Sequence, residues 1–337
     1  MRRMNKKNIK RFISINLLIL FFAICFFISV GIGAVDIPLG EIVKIIFLGE
    51  NTDNRVILMD IRLPRVLIAA VLGAGLSAVG GVMQGIFKNP LVDSYTLGMS
   101  SGAAFGAVIS IVTGIGVFGY ATTGTFAFLG AVSTLFFVYY LSKTKNRVSI
   151  NSLLLSGVAV SYFLSSVISF MMMLFNNKIE HIVFWTMGSL SSSTWQKFIF
   201  STCLVIPGVL LLNFFARELN IMSLGEESAH YIGVDVERLK YMLLAICSLI
   251  VGAVVSTGGT IGFLGLVAPH IVRLIWGSDY RRLIPYSAII GASILMLSDT
   301  LGRVIIQPAE IPVGVMTSVL GGPFFVFLLR KQKSKGA

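Results

Sequence analysis

Runs of uncharged, apolar residues long enough to cross a bilayer recur along nearly the whole chain, and that repetition limits the fold before any motif is considered. A helix needs about 20 predominantly apolar residues to span a hydrocarbon core of roughly 30 Å. Ten such runs can be read, over residues 12–33, 66–86, 97–115, 124–141, 152–175, 195–215, 240–257, 260–276, 283–301 and 312–330. Only 12% of the 337 residues are charged, 55% are hydrophobic, and the mean hydropathy is +0.88; a soluble domain carries roughly 25% charge. A water-soluble globule, a disordered chain and a disulfide scaffold are therefore excluded. The first run follows the charged segment Met1–Arg11. It exceeds the roughly 7–15 apolar residues of a signal peptide, and no A-x-A site follows, so it reads as a first span. The predicted class is all-α: a polytopic membrane protein of about ten transmembrane helices, with residues 1–337 forming a single transmembrane domain.

Charge placement orients it. The net charge of +12 would suit nucleic acid if it formed a patch, but the basic residues sit in short loops and tails between spans. With the amino terminus inside, only Lys44, Arg55, Arg62, Arg65, Lys178, Lys197 and Arg303 of the 27 lysines and arginines fall outside. The positive-inside rule thus places both termini, tails 1–11 and 331–337, in the cytoplasm. Three loops exceed a connector: Asp36–Arg65 and Asn176–Thr194 outside, and Ala216–Lys240 inside. The first holds an amphipathic stretch at Glu41–Phe47, and the second, with Glu180, His181 and Trp185, reads as an interfacial or re-entrant helix.

Small residues recur every four positions at Gly98, Gly102 and Gly106, at Gly81 and Gly85, and at Gly258 and Gly262. Such spacing lets membrane helices approach closely where no hydrophobic force drives association. Pro90, Pro269 and Pro312 lie in or beside spans and free carbonyls there. The stretch from Gly80-Gly81 to Asn89-Pro90 faintly echoes that from Gly258-Gly259 to Pro269-His270, the kind of inverted similarity that transporters carry. Cys25, Cys203 and Cys247 share no spacing pattern and read as small core residues.

Candidate chemistry is sparse. Gly98-Met99-Ser100-Ser101-Gly102 matches the G-x-S-x-G nucleophile pattern, and His270 could supply a base for an intramembrane serine protease. The glycines instead continue at helical spacing, which favours packing. His181, His230 and His270 are too dispersed for a metal site, and His270 after Pro269 reads as a partner for a freed carbonyl. An ion-coupled secondary transporter would want intramembrane carboxylates, and only Asp299 falls near a span end. Arg62, Arg65 and Arg303, with Glu310 nearby, stand on the face where cations are depleted, which fits a docking surface for an acidic partner. Within the inner segment 217–239, Leu224–Gly233 has an apolar and a charged side and closes on a glycine, either a solvated surface helix or a lever for a cytoplasmic motor.

Four stretches stand in order along the chain: Arg62-Leu63-Pro64-Arg65 through Gly80, Gly81, Gln84, Asn89-Pro90-Leu91, Gly98 and Gly102; Leu224-Gly225 with Ala229 and Gly233; Gly262 through Pro269-His270 to Arg273, Gly277 and Asp279; and Asp299, Arg303, Glu310 through Gly314, and Gly321-Gly322-Pro323. Together they resemble the FecCD-type permeases, membrane subunits of ABC importers for iron-siderophores, haem and cobalamin. The resemblance implies a ten-helix subunit that pairs with a second permease, homologous or identical, around a central pathway. It implies that Arg62, Arg65, Arg303 and Glu310 face a substrate-binding protein outside. It implies that Leu224, Gly225, Glu226, Ala229 and Gly233 meet an ATPase dimer inside, and that Gln84, Asn89, Pro90, Gly98, Gly102, Pro269 and His270 belong to the pathway or its packing. No G-x-x-x-x-G-K-[ST] occurs, so ATP and Mg would sit on that partner, and this chain is expected to be no enzyme and to bind no cofactor or metal. Its other contact would be membrane lipid, with no nucleic acid, in a bacterial plasma membrane. The expected activity is alternating access, with a ferric siderophore as cargo and haem or cobalamin as alternatives.

Overall fold

The structure is a computed structural model and describes residues 6–333 apart from 34, 36, 118–120, 145 and 146. The ends of both predicted tails, residues 1–5 and 334–337, lie outside the described residues. In chain order the helices are α1 (Lys6–Gly31), α2 (Leu39–Val43), α3 (Leu63–Ile86), α4 (Met99–Thr113), α5 (Thr122–Ser142), α6 (Ile150–Leu174) and α7 (Ile179–Thr186). They continue with α8 (Trp195–Phe214), α9 (Ala216–Ser223), α10 (Glu226–Tyr231), α11 (Val236–Gly258), α12 (Leu264–Trp276), α13 (Tyr280–Val304) and α14 (Val313–Lys333). A minimal hairpin, β1 (Lys143–Thr144) with β2 (Arg147–Val148), joins α5 to α6, with Lys143 opposite Val148.

Helix is the outcome that hydrocarbon demands, since every backbone polar group must find its partner within the segment. Among the described residues, seven helices are long and apolar enough to cross a membrane: α1, the segment leading through α3, α5, α6, α8, α11 and α13. The shorter apolar helices Met99–Thr113, Leu264–Trp276 and Val313–Val326 occupy the remaining predicted runs.

One boundary differs. A π-helical segment, Ile57–Arg62, feeds directly into α3, so the apolar helix runs from Ile57 to Ile86 and takes in Arg62 and Arg65, which had been assigned to the outer loop. Pro64 lies where the π-helical segment passes into α3 and does not break the apolar helix.

Burial grades from the centre outward. The spanning window of α3 is 89% buried and that of α13 78%, whereas α6 is 17% buried and presents Leu155, Tyr162 and Phe163 outward. The central helices meet through glycines: a Cβ on Gly73 of α3 would lie 2.4 Å from the Gly291 carbonyl oxygen of α13, and one on Gly80 would lie 2.1 Å from that of Gly265 in α12. The predicted α4 seam is real at Gly102, where a Cβ would reach 2.5 Å from the Gly130 oxygen of α5, and at Gly106. Gly98 is not part of it; it caps α4 with φ +79°. Gly258 and Gly262 form no helical repeat either, because α11 ends at Gly258 and Gly262 lies in the loop beyond. Cys25 and Cys247 are buried as expected, while Cys203 is exposed on the outer face of α8.

Candidate functional site

Three places carry the residues singled out in the sequence. At the N-terminal end of α3, Arg65 donates from Nε and Nη2 to the Asp299 carboxylate at 2.9–3.1 Å and from Nη1 to both Glu310 oxygens at 3.0 Å. Arg303, one turn beyond Asp299 on α13, lies 3.3 Å from the same carboxylate and donates through Nη2 to Ser29 O at 2.9 Å and to Thr300 Oγ1 at 3.1 Å. Arg62 donates through Nη1 to Val30 O and Gly31 O at 3.2 and 2.9 Å and through Nη2 to Val35 O. Two guanidiniums thus satisfy carbonyls in the last turn of α1, where a helix supplies no N–H donors of its own and favours cations.

The burial of these arginines corrects the sequence reading. Arg62, Arg65 and Arg303 are 5%, 8% and 8% exposed. They are not free cations on the outer surface, because the buried Asp299, the half-exposed Glu310 and the end of α1 offer them closer acceptors than a distant interface. Only Glu310, with its side chain 42% exposed, reaches the surface. Asp299 is held by Arg65 and Arg303. As a carboxylate within a spanning helix it could have suggested ion coupling, but both of its oxygens are engaged.

The second place is a cavity of about 550 Å³ between the α4 entry, α7, the loop after α11, and α14. Tyr95, Ser100, Thr186, Thr260 and Ser318 bring hydroxyls to its wall, Gly262 and Gly314 leave it smooth, and no lining residue is charged. The loop after α3 is clamped here. Asp93 accepts from Ser94 N and Oγ at 2.7 and 3.0 Å and from the Phe263 N–H, and the Tyr95 hydroxyl accepts from Ile261 N at 3.3 Å. Burial pushes the Asp93 carboxyl up from the ordinary carboxylate value, and those hydrogen bonds work against the shift. Ser100 reaches the cavity, but His270 does not line it. Among the described residues no strand precedes Gly98, so the strand-to-helix turn of a serine nucleophile is not formed there.

The remaining pathway and packing candidates separate by role. Gln84 is buried, donates to Gly265 O at 3.1 Å and accepts from Arg273, so it ties α3 to α12 instead of lining the cavity. Asn89 accepts from Leu91 N at 2.9 Å and shapes the turn at the exposed Pro90. Pro269 is buried within α12. His270 is half-exposed on α12, and its expected hydrogen bond to a freed carbonyl is not present among the described residues. The cavity residues Tyr95, Thr186, Thr260 and Ser318 escaped the sequence reading. They are isolated hydroxyls in apolar runs, and only the fold brings them together.

The third place is α10. Gly225, with φ +140°, opens it, Ala229 is fully buried beneath it, and Gly233, with φ +90°, closes it with Gly233 N donating to His230 O and Val234 N to Ala229 O. That is the glycine-terminated end that the sequence suggested. Glu226 pairs with Lys240 at 2.9 Å. Leu224, Tyr231 and Ile232 remain 75%, 89% and 62% exposed, an apolar tip left uncovered among the described residues.

Residues 19–331 match the FecCD transport family. The chain belongs to that family. This FecCD protein is 42% identical over 286 residues to the cobalamin import system permease protein BtuC of Halobacterium salinarum, covering 85% of this chain and 76% of that one. It is 37% identical over 281 residues to the hemin transport system permease protein HmuU of Yersinia pestis, covering 82% and 84%. A solved structure of an inward-facing metal-chelate type ABC transporter superposes with a TM-score of 0.84 at 32% identity, covering 93% of this chain and 97% of that one. The FecCD protein is therefore a membrane permease subunit of an ABC importer, a transport component and a multi-pass protein of the bacterial plasma membrane. The secondary-transporter and protease alternatives fall with that assignment.

Proposed function

We propose that this permease passes a ferric siderophore into the cytoplasm, pairing with a second permease copy or homologue, receiving cargo from a substrate-binding protein outside and driven by an ATPase dimer inside. The observation that carries the reading is the uncharged, hydroxyl-bearing cavity. A wall of neutral and small groups lets a bulky chelate leave as readily as it enters, which passage requires and tight binding would prevent. The likeness to a metal-chelate type transporter supports the same cargo class. The 42% identity to a cobalamin permease supports a second reading in which the same cavity takes cobalamin, and haem is a third outcome.

ATPase and Mg-nucleotide chemistry belong to the inner partner, which would grip the apolar tip Leu224, Tyr231 and Ile232 through the fold of Gly225, Glu226, Ala229 and Gly233. A binding protein would approach the end of α3 and α13, where Glu310 is the accessible member; an incoming carboxylate gains Arg65 only by exchanging with it. The exposed apolar face of α6 suits the second permease and lipid. Uptake of labelled iron as a ferric hydroxamate, of haem and of cobalamin, in cells with and without this chain, tests the reading: the proposal expects the ferric hydroxamate alone to depend on it.

A further inference from the structure

Lys240 lies in the second turn of α11 with its side chain 2% exposed, and its Nζ donates to Glu226 Oε2 of α10 at 2.9 Å and to Glu237 Oε1 at 3.3 Å. The second oxygen of Glu237 accepts from Val148 N in β2 at 3.1 Å. One buried ammonium therefore gathers α10, the start of α11 and the hairpin between α5 and α6. The lysine is buried but its partners are not, the Glu226 and Glu237 side chains being 38% and 36% exposed, and ion pairs that water reaches contribute little to stability alone. What it supplies is a directional link between elements that otherwise touch little: α10 is a six-residue helix, anchored below by Ala229 and open above.

The other end of that link is the cavity. α11 runs 23 residues without a proline, about 34 Å at 1.5 Å per residue. At its far end the Gly258 carbonyl accepts from Ser189 N at 2.9 Å, and Thr260, which lines the cavity, donates to Thr186 O on α7. A displacement of α10 that α11 follows as a rigid rod arrives at the cavity wall.

We propose that Lys240 is a positioning residue for transport: it transmits movement of α10 to α11 and so to the cavity wall. The proposal rests on the reading that an ATPase grips α10. Its test is free of cargo. A chain with its three cysteines replaced carries a spin label at Ser318 on the cavity wall, is purified with its ATPase partner, and the label-to-label distance between paired permeases is measured with and without ATP and vanadate. In the parent the distance shifts on trapping. In Lys240→Met, nucleotide is still trapped while the shifted fraction falls about fivefold or more; Lys240→Arg, which keeps the charge and the donors, restores the shift. An undiminished shift in Lys240→Met would overturn the proposal. So would loss of ATPase association in Lys240→Met and Lys240→Arg alike, which would mark the lysine as a folding element only. A parent chain that traps no nucleotide with its partner would instead overturn the coupling reading, and the proposal with it.

Discussion

At the residue scale, a guanidinium at the edge of hydrocarbon can snorkel to water or find carboxylates, and Arg65 does the second. Its two partners differ in exposure: Asp299 is buried and Glu310 is 42% exposed at the side chain. Arg65→Met leaves Asp299 buried with one cation fewer and is expected to destabilise by about 3–5 kcal/mol, read as a lowered midpoint of thermal unfolding in detergent. Glu310→Gln breaks only a water-screened contact and should change stability by about 0–1 kcal/mol. Equal losses in the two variants would contradict the assigned geometry. Part of this cluster was legible, since Asp299 and Arg303 stand four apart on one helix, the spacing of an ion pair. The partnership of Arg65 with Asp299 was not, because 234 residues separate them and hydropathy alone ends the span at the first charge.

At the element scale, the spans were read well because the bilayer imposes one length and one composition on them. The ends were read poorly wherever a charged residue is satisfied inside the protein, as at Ile57–Arg62. The glycine seams were legible for α4 against α5, where the four-residue spacing holds. They were not for Gly73 with Gly291, whose match lies on another helix. Gly80→Leu forces side-chain atoms into the Gly265 carbonyl of α12 and is expected to cost about 1–3 kcal/mol or prevent folding. Gly40→Leu, where nothing lies within 4 Å, serves as the control. Folded yield by size-exclusion chromatography separates them, and similar yields would contradict the close packing of α3 on α12. For α10, Tyr231 is 89% exposed, so Tyr231→Ala should leave the chain's own stability unchanged. Its retention of a co-expressed ATPase subunit should fall about fivefold or more, the loss of an aromatic anchor worth over 1 kcal/mol. A drop in melting temperature without loss of the ATPase would contradict the role given to this tip.

At the scale of the whole molecule, a buried axis of α3, α11 and α13 connects the Arg65 ion cluster with the short helix α10, with weakly buried helices around it and an uncharged cavity at its side. The chain's class was legible from apolar runs, the charge map and the order of its motifs. The cavity was not, since its wall is assembled from four separate segments whose residues carry no signal of their own. Cargo belongs to this scale, because it depends on the whole pathway and its partners. The measurement that bears most directly on the account is uptake of iron-55 as a ferric hydroxamate in a strain lacking this chain, complemented by the parent or by Tyr231→Ala. The account predicts that the parent restores uptake and the variant does not. Uptake of the ferric hydroxamate that is unaffected by deletion, while cobalamin or haem uptake is lost, would contradict the proposed cargo; full uptake with Tyr231→Ala would contradict drive through α10.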